Sequence, residues 1–198
     1  QAWLSKGGAV AGLPPFIEAL TSPVAYPHPA GDIRLIQTHI SYVLLAGQFA
    51  YKIKKPLNMG FLDYSTIEKR RFMCEEEVRL NRRLCAEAYV GVVPIVRRGG
   101  ATYVGGDGEV IEYAVKMRQF SPSAQLDRML DRGELKGHHL DAFARLIAAF
   151  HQRASIAGVS LYHGEPAQVV APAMQNFPDL RQCLPDPASA QCIAELEQ

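Results

Sequence analysis

The stretch Phe49-Ala50-Tyr51-Lys52-Ile53-Lys54-Lys55-Pro56 alternates apolar and cationic residues, and this period of two constrains the chain more than any other feature. Phe49, Tyr51 and Ile53 fall on one face of a strand, whereas Ala50, Lys52 and Lys54 fall on the other. Aromatic and β-branched residues at that period suit a half-buried strand, and Pro56 ends it by withdrawing a backbone donor. Two ammonium groups then look the same way from a rigid element, beside a residue too small to obstruct a flat ligand. The plain alternative is an edge strand whose lysines discourage pairing with another sheet.

The next segment weighs against a mere edge. Asp63 and Ser65 offer helix caps, with Ser65 and Glu68 at capping-box spacing, and the helix they open runs to Leu84 or Cys85. At about 100° per residue, Ile67, Met73, Cys74, Val78, Leu80, Leu84 and Cys85 fill one broad arc. Glu77 falls inside that arc; Glu75 and Glu76 fall outside it. A carboxylate on a buried helix face needs a partner, because a desolvated unpaired charge is costly. Lys52 is the obvious candidate. The basic runs Lys69-Arg70-Arg71 and Arg82-Arg83, interleaved with glutamates, read as the solvated face of the same helix.

A chain of 198 residues that is 48% hydrophobic can bury a core. Its net charge of +1 gives no argument for nucleic acid or an anionic membrane as partner. The four cysteines, Cys74, Cys85, Cys183 and Cys192, lack C-x-x-C or zinc spacing and read as reduced thiols. No apolar run reaches membrane-spanning length and no signal peptide is evident, so a soluble cytoplasmic protein is expected. Three regions are expected: an extension with a short helix over 1–31, a first lobe over 32–120, and a helical region over 121–198.

Pro14-Pro15 opens a short helix through Leu20. Ile33 to Gln37 and Tyr42 to Ala46 form two strands joined by the turn Thr38-His39-Ile40-Ser41. Val92 to Arg97, Ala101 to Val104 and Val110 to Arg118 alternate as strands, separated by Gly99-Gly100 and by Gly105-Gly106-Asp107-Gly108. The latter reads as a hairpin turn and not a phosphate loop, since no helix follows to supply amides. Helices are expected over Ala124 to Asp131, Pro172 to Cys183 and Ala188 to Leu196. Another, over His139 to Ala154, carries Leu140, Phe143, Ile147 and Phe150 as a core helix would, with His151 near its end.

Strand lysine, following helix and inward glutamate resemble the protein-kinase-like fold, in which such a pair holds nucleotide phosphates. Phe49-Ala50-Tyr51-Lys52 sits as V-A-I-K does in that family. The wording is closer to the aminoglycoside-phosphotransferase-like branch, specifically the kinase-like N-terminal half of bacterial two-part proteins whose second half is a P-loop ATP-binding domain. The resemblance is carried by Thr38 to Val43, Tyr51 to Pro56, Gly60 to Asp63, Cys74 to Leu84 and Tyr113 to Phe120, in one order. It implies an α+β fold, with an antiparallel sheet and one helix in an N-lobe followed by the helical start of a C-lobe. It also implies ATP with Mg²⁺ as cofactors. Lys52, Glu77 and Lys54 would lie at the phosphates, with Val43 and Ala50 about the adenine. Met117, Gln119 and Phe120 would belong to a hinge whose backbone meets the adenine edge. Thr38, His39 and Ser41 stand where the family's hairpin covers the phosphates; without glycine there, they either donate side-chain hydrogen bonds or only satisfy a tight turn.

Family catalysis needs H-G-D with an asparagine a few residues on, and a later aspartate for metal. In His163-Gly164-Glu165 the aspartate is replaced, Pro166 follows and the asparagine position is Val170. The stretch therefore reads as a surface loop, and no catalytic residue or metal ligand is assigned. The chain alone is expected to be inactive, with covalent continuation into the rest of a C-lobe and, as in the two-part proteins, a P-loop domain. The phosphate acceptor, a small molecule by resemblance, is not legible. Three readings remain: the ATP-binding part of a small-molecule kinase, a non-catalytic nucleotide-binding or regulatory module, and an interaction domain with charged surface helices.

Overall fold

The computed structural model describes residues 12–156 and 165–196. It divides into two compact units, residues 1–136 and 137–198. In the first, α1 (Pro15–Ala19) and a 3-10 turn (Pro23–Ala25) lead into β1 (Arg34–Gln37), β2 (Ser41–Ala46) and β3 (Phe49–Lys54). Then come α2 (Ile67–Cys85), β4 (Tyr89–Arg98), β5 (Ala101–Val104), β6 (Glu109–Arg118), a second 3-10 turn (Pro122–Ala124) and α3 (Leu126–Asp131). The strands make one antiparallel sheet in the order β1-β2-β3-β6-β4-β5. The α+β expectation holds. Because β3 pairs with β2 on one side and β6 on the other, it is an interior strand, and edge protection does not explain its lysines.

Each face of the sheet has its own core, as the alternation in β3 requires. Tyr51 and Ile53 join Leu44, Ala46, Ile95 and Ala114 beneath Ile17, Leu20, Ala25 and Tyr26 of the N-terminal segment. His28 Nε2 lies 2.7 Å from the Tyr51 hydroxyl and fastens that segment to the strand. Gly47, in the β2–β3 turn, has φ +57°, and a Cβ there would lie 2.4 Å from the Pro29 carbonyl oxygen. The described part of the stretch set apart in the sequence as 1–31 is thus the cover of one sheet face. On the other face α2 buries Cys74 and Val78 against Val115, with Tyr89, Val92 and Met117 around them.

Three details of α2 differ from expectation. Its cap is Thr66, whose hydroxyl accepts from the Lys69 amide at 3.3 Å, whereas Ser65 donates to Asp63. Arg70 is buried and not solvated, being paired with Glu112 of β6. Leu80, Leu84 and Cys85 are exposed. The inward row is Arg70, Cys74, Val78, and it stops there. Arg82, one turn further on, donates to the Tyr89 and Val90 carbonyls, so the final turns are tied to the start of β4 and not spread over the sheet's apolar face.

The second unit holds α4 (Gly137–Arg153), α5 (Pro166–Met174), α6 (Asn176–Cys183) and α7 (Pro187–Leu196). The single helix expected from Pro172 to Cys183 is two, separated at Gln175. Helix α4 forms, but Leu140 and Phe143 are 54% and 55% exposed, and Ile193 is the one buried side chain among the described residues of this unit. Ile147 and Phe150 are half-buried, so the expected core face of α4 is covered only in part by these residues. Glu165 directly precedes α5, which Pro166 opens; His163 and Gly164 lie outside the described residues. Among the described residues no helix is long and apolar enough to cross a membrane.

Candidate functional site

Strand register turns the α2-facing side of the sheet into three successive rows. In an antiparallel ladder, opposed residues point to the same face, and rows two residues apart stand about 6–7 Å from one another. The first row is Leu45, Ala50 and Met117. The second is Val43, Lys52 and Val115. The third is Ser41 and Lys54. An apolar floor thus grades into a lysine flanked by valines, and then into a buried polar pair.

Helix α2 lowers Glu77 onto the two lysines. Lys52 Nζ donates to Glu77 Oε1 at 2.9 Å, and Lys54 Nζ donates to Oε2 at 2.7 Å. The sequence pointed to one partner; the structure brings both, one to each oxygen. Their surroundings differ sharply, since the Lys52 side chain is 29% exposed and that of Lys54 only 3%. Lys54 also sits 4.9 Å from the centre of the buried Tyr64 ring, a cation–π distance. Burial pushes the Glu77 carboxyl up, but the hydrogen bonds from Lys54 and Lys52 outweigh it and hold the group below its ordinary range. For Lys54, burial favours the neutral amine, yet the bond to Glu77 prevails and raises its pKa. Both partners are therefore charged. The neighbouring Cys74 thiol is pushed up to about 11, chiefly by burial.

The other expected residues divide. Val43, Ala50 and Met117 join the rows. The Thr38 hydroxyl accepts from the Ser41 amide at 2.9 Å and donates to the Ser41 carbonyl, so it closes the turn, which Lys55 clamps from outside by donating to the Thr38 carbonyl. Ser41 is fully buried, and its Oγ has no hydrogen-bond partner. His39 is exposed at the tip of that turn. Gln119 donates through its side chain to the Gly47 and Phe49 carbonyls and through its amide to Gln48. The Arg118 amide is taken by Ala88, so an adenine edge would have to meet other backbone groups of this stretch. Phe120 is 67% exposed. A separate cleft of about 500 Å³, lined by Phe61, Leu62, Phe72 and Met73 among others, does not include the lysine rows.

Arg70 was missed as an organising residue, although a signal was present. It precedes Glu77 by seven residues, two helical turns, and so lies in the same arc. Its Nη2 meets Glu112 Oε2 at 2.7 Å while Nη1 donates to the Tyr64 carbonyl at 2.9 Å. Helix α2 is thereby clamped to β6 at one end and to β3 two turns later.

No family model matches this chain, and no solved structure matches it. It is similar to an uncharacterized protein of Mycobacterium bovis and to two of Mycobacterium tuberculosis, each 33% identical over 173 residues. The match covers 86% of this chain and 33% of each relative. The chain thus spans about a third of the length of these relatives.

Proposed function

We propose that this chain is the nucleotide-binding lobe of a protein-kinase-like, aminoglycoside-phosphotransferase-like protein, and that Lys52 holds the nucleotide phosphates. One observation carries the reading: an interior strand presents a part-exposed lysine that is paired at 2.9 Å with a glutamate descending from the helix across it. ATP fits the rows to that extent. Leu45, Ala50 and Met117 make a flat apolar floor one row from the ammonium of Lys52. Magnesium is less well served. Among the described residues no group of three His, Cys, Asp or Glu could hold a metal ion, and no step is assigned to one.

Phosphoryl transfer rests on positioning and on charge stabilisation about metal ions, so this chain by itself is expected to bind ATP weakly and transfer no phosphate. Calorimetry with ATP and Mg²⁺ on the full-length protein tests the reading. Lys52→Ala should abolish the binding heat; full-length protein that binds no ATP, or that binds it equally well after the substitution, would sink the proposal. A non-catalytic nucleotide-binding module would give the same heats but no phosphorylated product with any acceptor.

A further inference from the structure

Two ammonium groups share one carboxylate, and only one of them reaches solvent. We infer that Lys54 is a positioning residue: a buried counter-charge that keeps Glu77 neutralised so that Lys52 can leave it for an incoming anion. The inference rests on the nucleotide reading only for the identity of that anion.

Consider the same site with a single lysine. When that lysine turns to a phosphate, Glu77, whose side chain is only 13% exposed, would be stranded without a cation in a low-dielectric setting. The departure would be resisted, and the anion would have to compete with the carboxylate for one ammonium. In this protein Oε2 already receives Lys54 at 2.7 Å, and the Lys54 side chain, 3% exposed and seated by the Tyr64 ring, has no route to an outside ligand. Oε1 alone must release its donor. Two positive charges against one negative leave one cation in excess, and exposure places that excess on Lys52. The role differs from phosphate contact, which sequence parity alone would grant to either lysine.

The test uses two readouts on the same variants of the full chain, each checked for folding by circular dichroism and thermal melting. The first is the rate of reductive methylation at the Lys52 amine, followed by mass spectrometry, which needs no nucleotide. The second is calorimetry with ATP and Mg²⁺. Lys54→Met should slow Lys52 methylation several-fold and weaken ATP binding about tenfold or more, because Lys52 becomes the sole counter-ion of Glu77. Adding Glu77→Gln to Lys54→Met should restore Lys52 methylation, since nothing then holds the ammonium, and Lys54→Arg, which keeps the buried charge, should be methylated at Lys52 faster than Lys54→Met. Neutralising the partner of a purely structural Lys54 would also recover stability, so the deciding readout is Lys52 methylation in the folded variants, which a purely structural role would leave unchanged. Unchanged methylation in a folded Lys54→Met variant, or a folded double variant no better than the single one, would overturn the inference. The expected methylation pattern without any ATP binding would leave the counter-charge role standing and remove the nucleotide reading instead. If Lys54→Met does not fold, Lys54→Met with Glu77→Gln carries the test: Lys52 methylation slower than in the original protein overturns the inference.

Discussion

At the scale of single residues, charge burial on α2 organises the first unit, and Arg70 is the sharpest case. Its side chain is 9% exposed and that of Glu112 4%. Removing one member of such a pair strands the other, at about 3–5 kcal/mol, whereas replacing both with apolar groups of similar size is often neutral. Arg70→Met alone should therefore destabilise the protein by that amount in urea unfolding, and Arg70→Met with Glu112→Met should recover most of it. Additive losses would show that the two residues act independently. The inward place of Glu77 was legible because three successive glutamates differ in angle and only one fell within the apolar arc. Arg70 obeys the same angle but stands between Lys69 and Arg71, where a basic run reads as solvated surface. The double engagement of Glu77 was not legible either. Parity puts Lys52 and Lys54 on one face, but only the depth of the fold separates a buried ammonium from a half-exposed one.

At the scale of elements, period and punctuation carried most of the information. The strands, the glycine turns and α1 lie close to where alternation and proline put them, since each depends on neighbours within a few residues. Helix boundaries that depend on one hydroxyl were less secure. Ser65 and Thr66 are adjacent capping residues, and the choice between them turns on Asp63, which accepts from both the Ser65 amide and its hydroxyl and so draws Ser65 into the preceding turn. Thr66→Ala should cost about 1 kcal/mol by chemical denaturation, as loss of a cap does, and Ser65→Ala distinctly less. The reverse order would return the cap to Ser65. The broad apolar arc failed at Leu80 and Leu84 because periodicity records which side of a helix is apolar, not how far along the helix the sheet extends beneath it.

At the scale of the whole molecule, the two units differ in how far they bury themselves. The first has a core on each side of its sheet, whereas in the second Leu140, Phe143 and Leu146 of α4 are exposed and Ile193 is the one buried side chain among the described residues. The matched stretch makes up about a third of the length of each relative. The docking of α2 on the sheet can be followed in this chain without a ligand or an added dye. Three of its thiols, Cys85, Cys183 and Cys192, are exposed, and the fourth, Cys74, is fully buried on the sheet-facing side of α2 with its pKa raised to about 11. Only the thiolate reacts with an alkylating agent, so Cys74 should stay silent until the helix lifts. A timed pulse of iodoacetamide, read peptide by peptide, should mark three sites promptly and the fourth more slowly, in proportion to the fraction of time the helix is open. Equal marking of all four would mean that α2 is not held down. The molecule thus carries a clock for one of its own motions, with three dials already running and the fourth started by the helix.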